Sequence, residues 1–261
     1  NMDSIGINPF TFDDPLKTAV AISSVLRSMY NTTHTDVEEA FRDNVTSQAI
    51  ENLSILLKVM YPKLNDGDLP TLTDMLEMLT DFDVAEDMCR KMEYDEGLSA
   101  KYKMQIAYFK KNFYKTGSGR PDTEKFVYSA VTQLDNLLRN EGVRNILCNR
   151  NDNINFDEVL ENGGVTFVCT RRGDLGAATH KAFGLFFLIL MQYSVLRRPG
   201  NEKNRVPHFL YIDEFPDFLC KDIDAIFTLY RKYRVGTLIT AQNLEQLGNQ
   251  VYSRYRQTIL A

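Results

Sequence analysis

The sequence has no tryptophan, three histidines and four cysteines in 261 residues. Each scarcity removes a class of chemistry. Cys89, Cys148, Cys169 and Cys220 lie far apart with no C-x-x-C spacing. That argues against a zinc ribbon, a dithiol redox centre or a disulfide-stapled secreted domain, and fits packed, reduced thiols. His34, His180 and His208 are scattered and form no zinc-binding pattern. No long hydrophobic run is present either. The longest, Phe183 to Met191, falls short of the ~20 apolar residues a membrane-spanning helix needs, and it lacks signal-peptide flanks, so the expectation is a soluble chain. The string GxxxxGK[ST], whose backbone amides and lysine cradle phosphates, is missing as well. Its nearest substitute, Gly117-Ser118-Gly119-Arg120-Pro121, has no Lys-Ser/Thr and lies between helical segments, where it reads as a connector.

What is present is ordinary in bulk and uneven in detail. Hydrophobic residues make up 44% and charged residues 25%, enough for one large domain or two smaller ones with a real core. The net charge of −5 divides sharply: residues 1–162 carry −10 and residues 163–261 carry +5. An acidic part joined to a basic part points to two modules with different partners. The basic balance is compatible with phosphate contact without requiring it.

The periodicity divides the chain in the same way. Ser4 to Ile7 reads as a short strand closed by Asn8-Pro9-Phe10, and Asp13-Asp14-Pro15 as a helix start. From there to about Arg150 apolar residues recur at helical spacing, with no fixed-length repeat. Thr35 with Glu38 has capping-box spacing, Tyr61-Pro62 is expected to break a helix, and Thr71 to Asp74 caps the next. Helices are further expected over residues 83–91, 99–114 and 122–140.

Beyond Asn151 the texture changes. A short helix over 156–160 leads to Gly163-Gly164 and a β-branched run, Val165-Thr166-Phe167-Val168-Cys169-Thr170. Ala177 to Arg198 reads as a helix apolar all round. A strand, Val206 to Ile212, runs into Asp213-Glu214. A helix is expected from Asp222 to Arg234, a strand from Gly236 to Ala241 running into Gln242-Asn243, and a final helix from about Leu244. Continuously apolar strands alternating with helices argue for a parallel sheet covered on both faces.

Functional groups gather at the carboxyl ends of such strands. An apolar strand ending on two carboxylates has the shape of a Walker B element, in which Asp213 would help hold Mg²⁺ and Glu214 would polarise the attacking water. A buried strand followed by an acidic helix cap has the same sequence. Gln242, one strand over, can sense a γ-phosphate or orient water, or it can merely cap the next helix. Arg231, with Lys232 and Arg234 beside it, is either a set of cations favoured at a helix C-terminus or an arginine finger acting on a neighbouring subunit's nucleotide. Arg171 and Arg172 follow the 165–170 run and are the first places to look for DNA contact, together with the basic residues after Tyr230.

Three segments carry a resemblance: Phe209-Leu210-Tyr211-Ile212-Asp213-Glu214-Phe215, Leu229-Tyr230-Arg231-Lys232-Tyr233-Arg234, and Ile239-Thr240-Ala241-Gln242-Asn243-Leu244-Glu245-Gln246-Leu247. Together they resemble the second half of the motor domain of type IV coupling proteins, the TraG/TraD-type ATPases of conjugation within the FtsK/HerA superfamily. Ile7-Asn8-Pro9-Phe10 before a helical insertion is similar to the same family. The resemblance is strong over about residues 160–250 and loose over the helical stretch.

It implies an α/β fold: a partial RecA-like P-loop NTPase parallel sheet plus an all-helical inserted domain. Residues 1–15 and 151–261 would belong to the motor and residues 16–150 to the helical domain. It implies Asp213 on the Mg²⁺ side, Glu214 as the catalytic carboxylate, Gln242 as sensor and Arg231 as finger. ATP and Mg²⁺ would be cofactors of the intact parent protein, with neither expected on this piece. Partners would be single-stranded DNA, relaxosome and relaxase proteins, the type IV secretion channel and, in the parent, five further copies in a hexamer at the cytoplasmic face of the membrane. The chain opens on Asn-Met and stops inside an apolar pattern at Thr258 to Ala261, so an excised piece is expected; as the phosphate loop is missing, that piece is expected to be a monomer without ATPase activity of its own. Two alternatives stay open: a channel-assembly ATPase of type IV secretion, and a cargo-docking module without catalysis.

Overall fold

The computed structural model describes residues 4–30, 37–220, 223 and 225–247. They fall into two compact units, Asn1–Ile154 and Asn155–Ala261. The first is helical and the second combines helices with a small parallel sheet, so the chain is a mostly helical α/β protein.

The first unit contains α1 (Pro15–Tyr30), α2 (Val37–Leu64), α3 (Leu72–Thr80), α4 (Phe82–Tyr94), α5 (Glu96–Lys101), α6 (Lys103–Asn112), α7 (Arg120–Arg139) and α8 (Glu141–Leu147). Its core follows the helical spacing in the sequence: Ala19, Ile22, Val25 and Leu26 of α1 are buried, as are Leu53, Leu56, Leu57 and Met60 of α2 and Val127, Ala130, Leu134 and Leu137 of α7. Phe82 stacks on Phe113 at 4.1 Å between ring centres. The Thr71 cap forms as its sequence suggests, with the Thr71 amide donating to Asp74 Oδ2 at 2.6 Å. The Thr35–Glu38 pairing lies outside the described residues.

Pro62 does not break its helix. It sits in the last turn of α2, where a missing amide costs a single bond, and the helix closes just beyond it on Asp66 and Gly67, both at positive φ. There the Gly67 amide donates to the Pro62 carbonyl at 2.8 Å, a C-terminal cap. The helix expected over 99–114 is divided between α5 and α6 at Tyr102.

The segment before α1 makes one bridge, Gly6 to Asn153, in place of a strand. Gly6 is required there: a Cβ would stand 2.4 Å from the Asn149 Cβ. Asn8, fully buried, ties this segment to the rest of the unit. Its Nδ2 donates to the carbonyls of Pro70 (2.9 Å) and Asn149 (3.1 Å), and its Oδ1 accepts from the Phe10 amide (3.0 Å). Lys58 Nζ donates to the Phe10 carbonyl at 2.7 Å, and burial lowers the pKa of that ammonium against the pull of Asp13. All four cysteines are thiols, and burial pushes Cys89 up to about 11, which makes it inert.

The second unit contains α9 (Phe156–Asn162), α10 (Arg172–Leu175), α11 (Ala177–Leu196), β1 (His208–Ile212), α12 (Ala225–Thr228) and β2 (Val235–Ile239). β1 and β2 pair in parallel, with His208 opposite Val235 and Ile212 opposite Ile239. Leu210, Ile212 and Val235 are buried, while Phe209, Tyr211 and Leu238 are exposed, so one face of the sheet is covered rather than both. Helix α11 has the length and composition of a membrane span, and 72% of that window is buried inside the fold.

Two expected elements do not form in full among the described residues. Residues 163–170 form no strand: β-branched residues need a ladder partner, and none pairs with this run among the described residues, leaving Phe167 93% exposed. Among the described residues the expected 222–234 helix is reduced to α12 and a 3₁₀ turn, Tyr230–Tyr233, which closes on the left-handed Arg234, whose amide donates to the Arg231 carbonyl at 3.0 Å. The final helix appears as a 3₁₀ turn, Leu244–Leu247, and its continuation lies outside the described residues.

Asn8→Ala leaves the Pro70 carbonyl and the Phe10 amide without the partners Asn8 gives them, and takes one of two donors from the Asn149 carbonyl, which keeps Asn153 Nδ2. It is expected to destabilise the helical unit by about 2–4 kcal/mol, read as a lower urea midpoint; a change under about 0.5 kcal/mol, the range of ordinary surface substitutions, would contradict the role given to Asn8.

Candidate functional site

Parallel pairing puts the carboxyl ends of β1 and β2 side by side, and this is where the sequence concentrates its polar groups. The ladder extends one step past the strands, with the Thr240 amide donating to the Ile212 carbonyl at 3.0 Å. The chain then leaves β1 through Asp213 and Glu214. Glu214 is in the left-handed region, at φ 48° and ψ 45°. A residue with a Cβ persists there only where its surroundings hold it.

Two contacts supply that hold. The Phe215 amide donates to the Thr240 carbonyl at 3.0 Å, and the Glu214 amide donates to Thr240 Oγ1 at 3.0 Å. The chain next enters a 3₁₀ turn, Phe215–Phe218, with Phe215 fully buried. Phe218 lies against Gly184 of α11, where a Cβ would stand 2.2 Å from the ring, so only glycine admits this approach. The acidic turn is thus anchored on a buried aromatic and on the core helix behind it.

Asp213, Glu214 and Gln242 come together as the sequence suggests. Gln242 Nε2 donates to Glu214 Oε1 at 3.3 Å, and its amide donates to Gln246 Oε1 at 3.2 Å. Both carboxylates are exposed to solvent. Thr240 was not among the residues singled out in the sequence. The signal for it was register: the residue after β2 faces the turn after β1.

Arg231 is not part of this group. It lies in the Tyr230–Tyr233 turn that enters β2, while the carboxylates follow the exit of β1. The five-residue ladder separates the two ends by roughly 13 Å at 3.3 Å per residue. The Arg231 turn is held from behind by three other arginines. Arg198, 5% exposed, donates to the carbonyls of Tyr233 (2.8 Å), Leu160 (2.7 Å) and Val206 (2.9 Å). Arg205 donates to Lys232 (2.8 Å) and Arg198 (2.9 Å), and Arg234, itself left-handed at φ 59°, donates to Arg205 (2.9 Å). Burial lowers the Arg198 pKa, and also that of nearby His208, from their ordinary values. Guanidinium stays charged regardless.

Arg171 and Arg172 both sit beside carboxylates. Arg171 is 3.1 Å from Asp174, and Arg172 Nη1 donates to Asp217 Oδ2 at 2.8 Å. The same Asp217 oxygen lies 3.4 Å from His180 Nε2, whose other ring nitrogen is 3.3 Å from the Thr170 carbonyl. Arg172 is therefore tied to the 3₁₀ turn that follows Glu214.

The donor set at the strand ends could take a hydrated magnesium ion. Asp213 Oδ1 is occupied by Thr240 and by the Glu214 amide, leaving one carboxylate oxygen for a hydrated Mg²⁺, which usually takes one or two protein carboxylates. No group of three or more acidic, histidine or cysteine side chains suited to a metal is found among the described residues, so an all-protein cage is not formed by them.

A family model for type IV secretory system conjugative DNA transfer matches residues 13–261. The chain belongs to that family. No curated protein matches it. The family places the chain in conjugative DNA transfer through type IV secretion, and the match covers both the helical unit and the unit with the acidic turn.

Arg198→Met removes a charged donor from three carbonyls. It is expected to destabilise the second unit by about 3 kcal/mol, measured by thermal or urea unfolding; unchanged stability would contradict the anchoring role given to this arginine.

Proposed function

We propose that the protein carrying this chain is an ATP-driven motor of conjugative DNA transfer, and that the second unit is the hydrolytic half of a RecA-like domain. The observation that carries the reading is the Asp213-Glu214 turn at the exit of β1, joined to Gln242 across β2. Asp213 would hold a hydrated Mg²⁺. When bound, that ion neutralises phosphate charge and helps polarise the transferred group. Glu214 accepts a proton from the attacking water. Gln242, bonded to the Glu214 carboxylate, reports the state of the γ-phosphate to the residues after β2. The phosphate-binding loop belongs to sequence outside this chain, and the chain alone is expected to have no ATPase activity.

Arg231 is on the wrong end of its own sheet to reach this site. That position supports a role in trans, on the nucleotide of a neighbouring copy in a ring, and a hexamer at the cytoplasmic face of the membrane is the assembly we favour. Single-stranded DNA, relaxosome proteins and the type IV secretion channel would be the partners. Arg171 and Arg172 remain the proposed DNA contacts, although the carboxylates of Asp174 and Asp217 temper their charge.

A specific observation favours a second role. The residues of the helical unit, 1–154, carry 17 basic and 24 acidic side chains, a balance of −7. Such a surface repels phosphates and suits basic protein cargo. The helical domain, residues 16–150, would then recruit cargo while the motor domain works on DNA.

In the full-length protein, Glu214→Gln is expected to retain nucleotide binding and to lower ATP turnover by about 100-fold or more, the range for loss of a general base. Steady-state hydrolysis together with a fluorescent-nucleotide titration checks it. Turnover unchanged in Glu214→Gln would overturn the assignment.

A further inference from the structure

Thr240 touches every part of the acidic turn, yet no part in the hydrolysis described above falls to it. Its amide donates to the Ile212 carbonyl and its carbonyl accepts from the Phe215 amide, both at 3.0 Å. Its hydroxyl accepts from the Glu214 amide at 3.0 Å and donates to Asp213 Oδ1. A hydroxyl has one donor and two acceptor sites, so the two side-chain bonds coexist. We propose that Thr240 is a positioning residue for hydrolysis: its side chain fixes the left-handed Glu214 and selects which oxygen of Asp213 faces the metal.

The first effect is conformational. Left-handed backbone is disfavoured for any residue bearing a Cβ. The peptide amides on either side of the Glu214 Cα belong to Glu214 and Phe215, and Thr240 holds both. Without the hydroxyl one of these ties is gone. The Glu214 amide keeps only the 3.2 Å contact to Asp213 Oδ1, within the same turn. The turn is then free to relax toward ordinary backbone, carrying the Glu214 carboxylate away from Gln242. The second effect is electrostatic. A hydroxyl donating to Oδ1 fixes the Asp213 carboxylate plane and leaves Oδ2 as the outward oxygen. Without it the carboxylate can rotate, and either oxygen can face the ion.

Thr240 is exposed, so replacing its hydroxyl with a methyl group removes the bonds without opening a cavity. Thr240→Val keeps the β-branched shape suited to a strand end, and Thr240→Ser keeps the hydroxyl. This separates a positioning role from a packing role, since packing would favour Val and positioning would favour Ser.

The inference rests on the hydrolytic reading proposed above, and the test is arranged so that the two can fail separately. In the full-length protein, Thr240→Val is expected to lower kcat for ATP by about tenfold to a hundredfold, the cost of misplacing a reacting group by a fraction of an ångström to one ångström. KM for ATP should stay within about twofold, because ground-state binding is not what Thr240 supports. Thr240→Ser should recover most of the lost kcat. On this chain, amide hydrogen exchange followed by NMR should show the Glu214 amide exchanging faster in Thr240→Val and near its native rate in Thr240→Ser, with Leu210 and Ile212 of β1 unchanged as a control for folding.

Native kcat in Thr240→Val, or an equal loss in both variants, would overturn the proposal. A fall in kcat without faster Glu214 exchange would overturn it too. If Glu214→Gln leaves hydrolysis intact, the hydrolytic reading fails, whereas the exchange comparison still decides whether Thr240 holds the turn. If Glu214→Gln abolishes hydrolysis and Thr240→Val does not, Thr240 alone is dismissed.

Discussion

The arrangement at the strand ends depends on a parallel ladder that runs one residue too far. Had pairing stopped at Ile212 and Ile239, the acidic turn would have had no fixed relation to β2. Because the Thr240 amide reaches back to Ile212 and the Thr240 carbonyl takes the Phe215 amide, the turn is pinned on both sides of Glu214. An exposed pair of carboxylates thereby gains a defined geometry, although neither is buried. The left-handed backbone at Glu214 stores a modest strain, and the core behind it sustains the strain: Phe215 is fully buried and Phe218 is pressed against Gly184.

The opposite end of the same two strands is built on another principle. There the polar groups holding the chain are guanidinium forks bonded to main-chain carbonyls. Arg198, Arg205 and Arg234 bind carbonyls across the loop after α11 and the turn that bears Arg231. The forked donors of arginine suit this use, since one side chain can satisfy several carbonyls that no amide can reach. The result is a rigid turn presenting Arg231 to solvent, far from the carboxylates of its own chain. Two ends of one short sheet thus carry opposite charges.

Much of this was legible in the sequence because local rules sufficed. Helical spacing located the core of the first unit, the Thr71–Asp74 cap formed as its chemistry required, and an apolar strand ending on Asp213-Glu214 met Gln242 as parallel strands dictate. What was not legible depended on partners the local sequence does not name. Val165 to Thr170 has the composition of a strand but pairs with nothing among the described residues, so its propensity goes unexpressed. Pro62 looked like a helix breaker, and its position one turn from a glycine cap made it harmless. The residues after Thr228 have helical spacing, yet they close into a 3₁₀ turn that ends on the left-handed Arg234. Nothing in the local sequence distinguishes Thr240 from any other threonine at a strand end; the register is what puts its hydroxyl over an acidic turn.

In the proposed mechanism Glu214 and Gln242 act as one unit on the water that attacks ATP. A double-mutant cycle in the full-length protein tests it most directly, with kcat measured for Glu214→Gln, Gln242→Ala and the double variant. Residues that act as a unit lose their effect together, so the double variant should be no slower than the worse single variant. If instead the two losses multiply, Glu214 and Gln242 work independently and the account of this site is wrong.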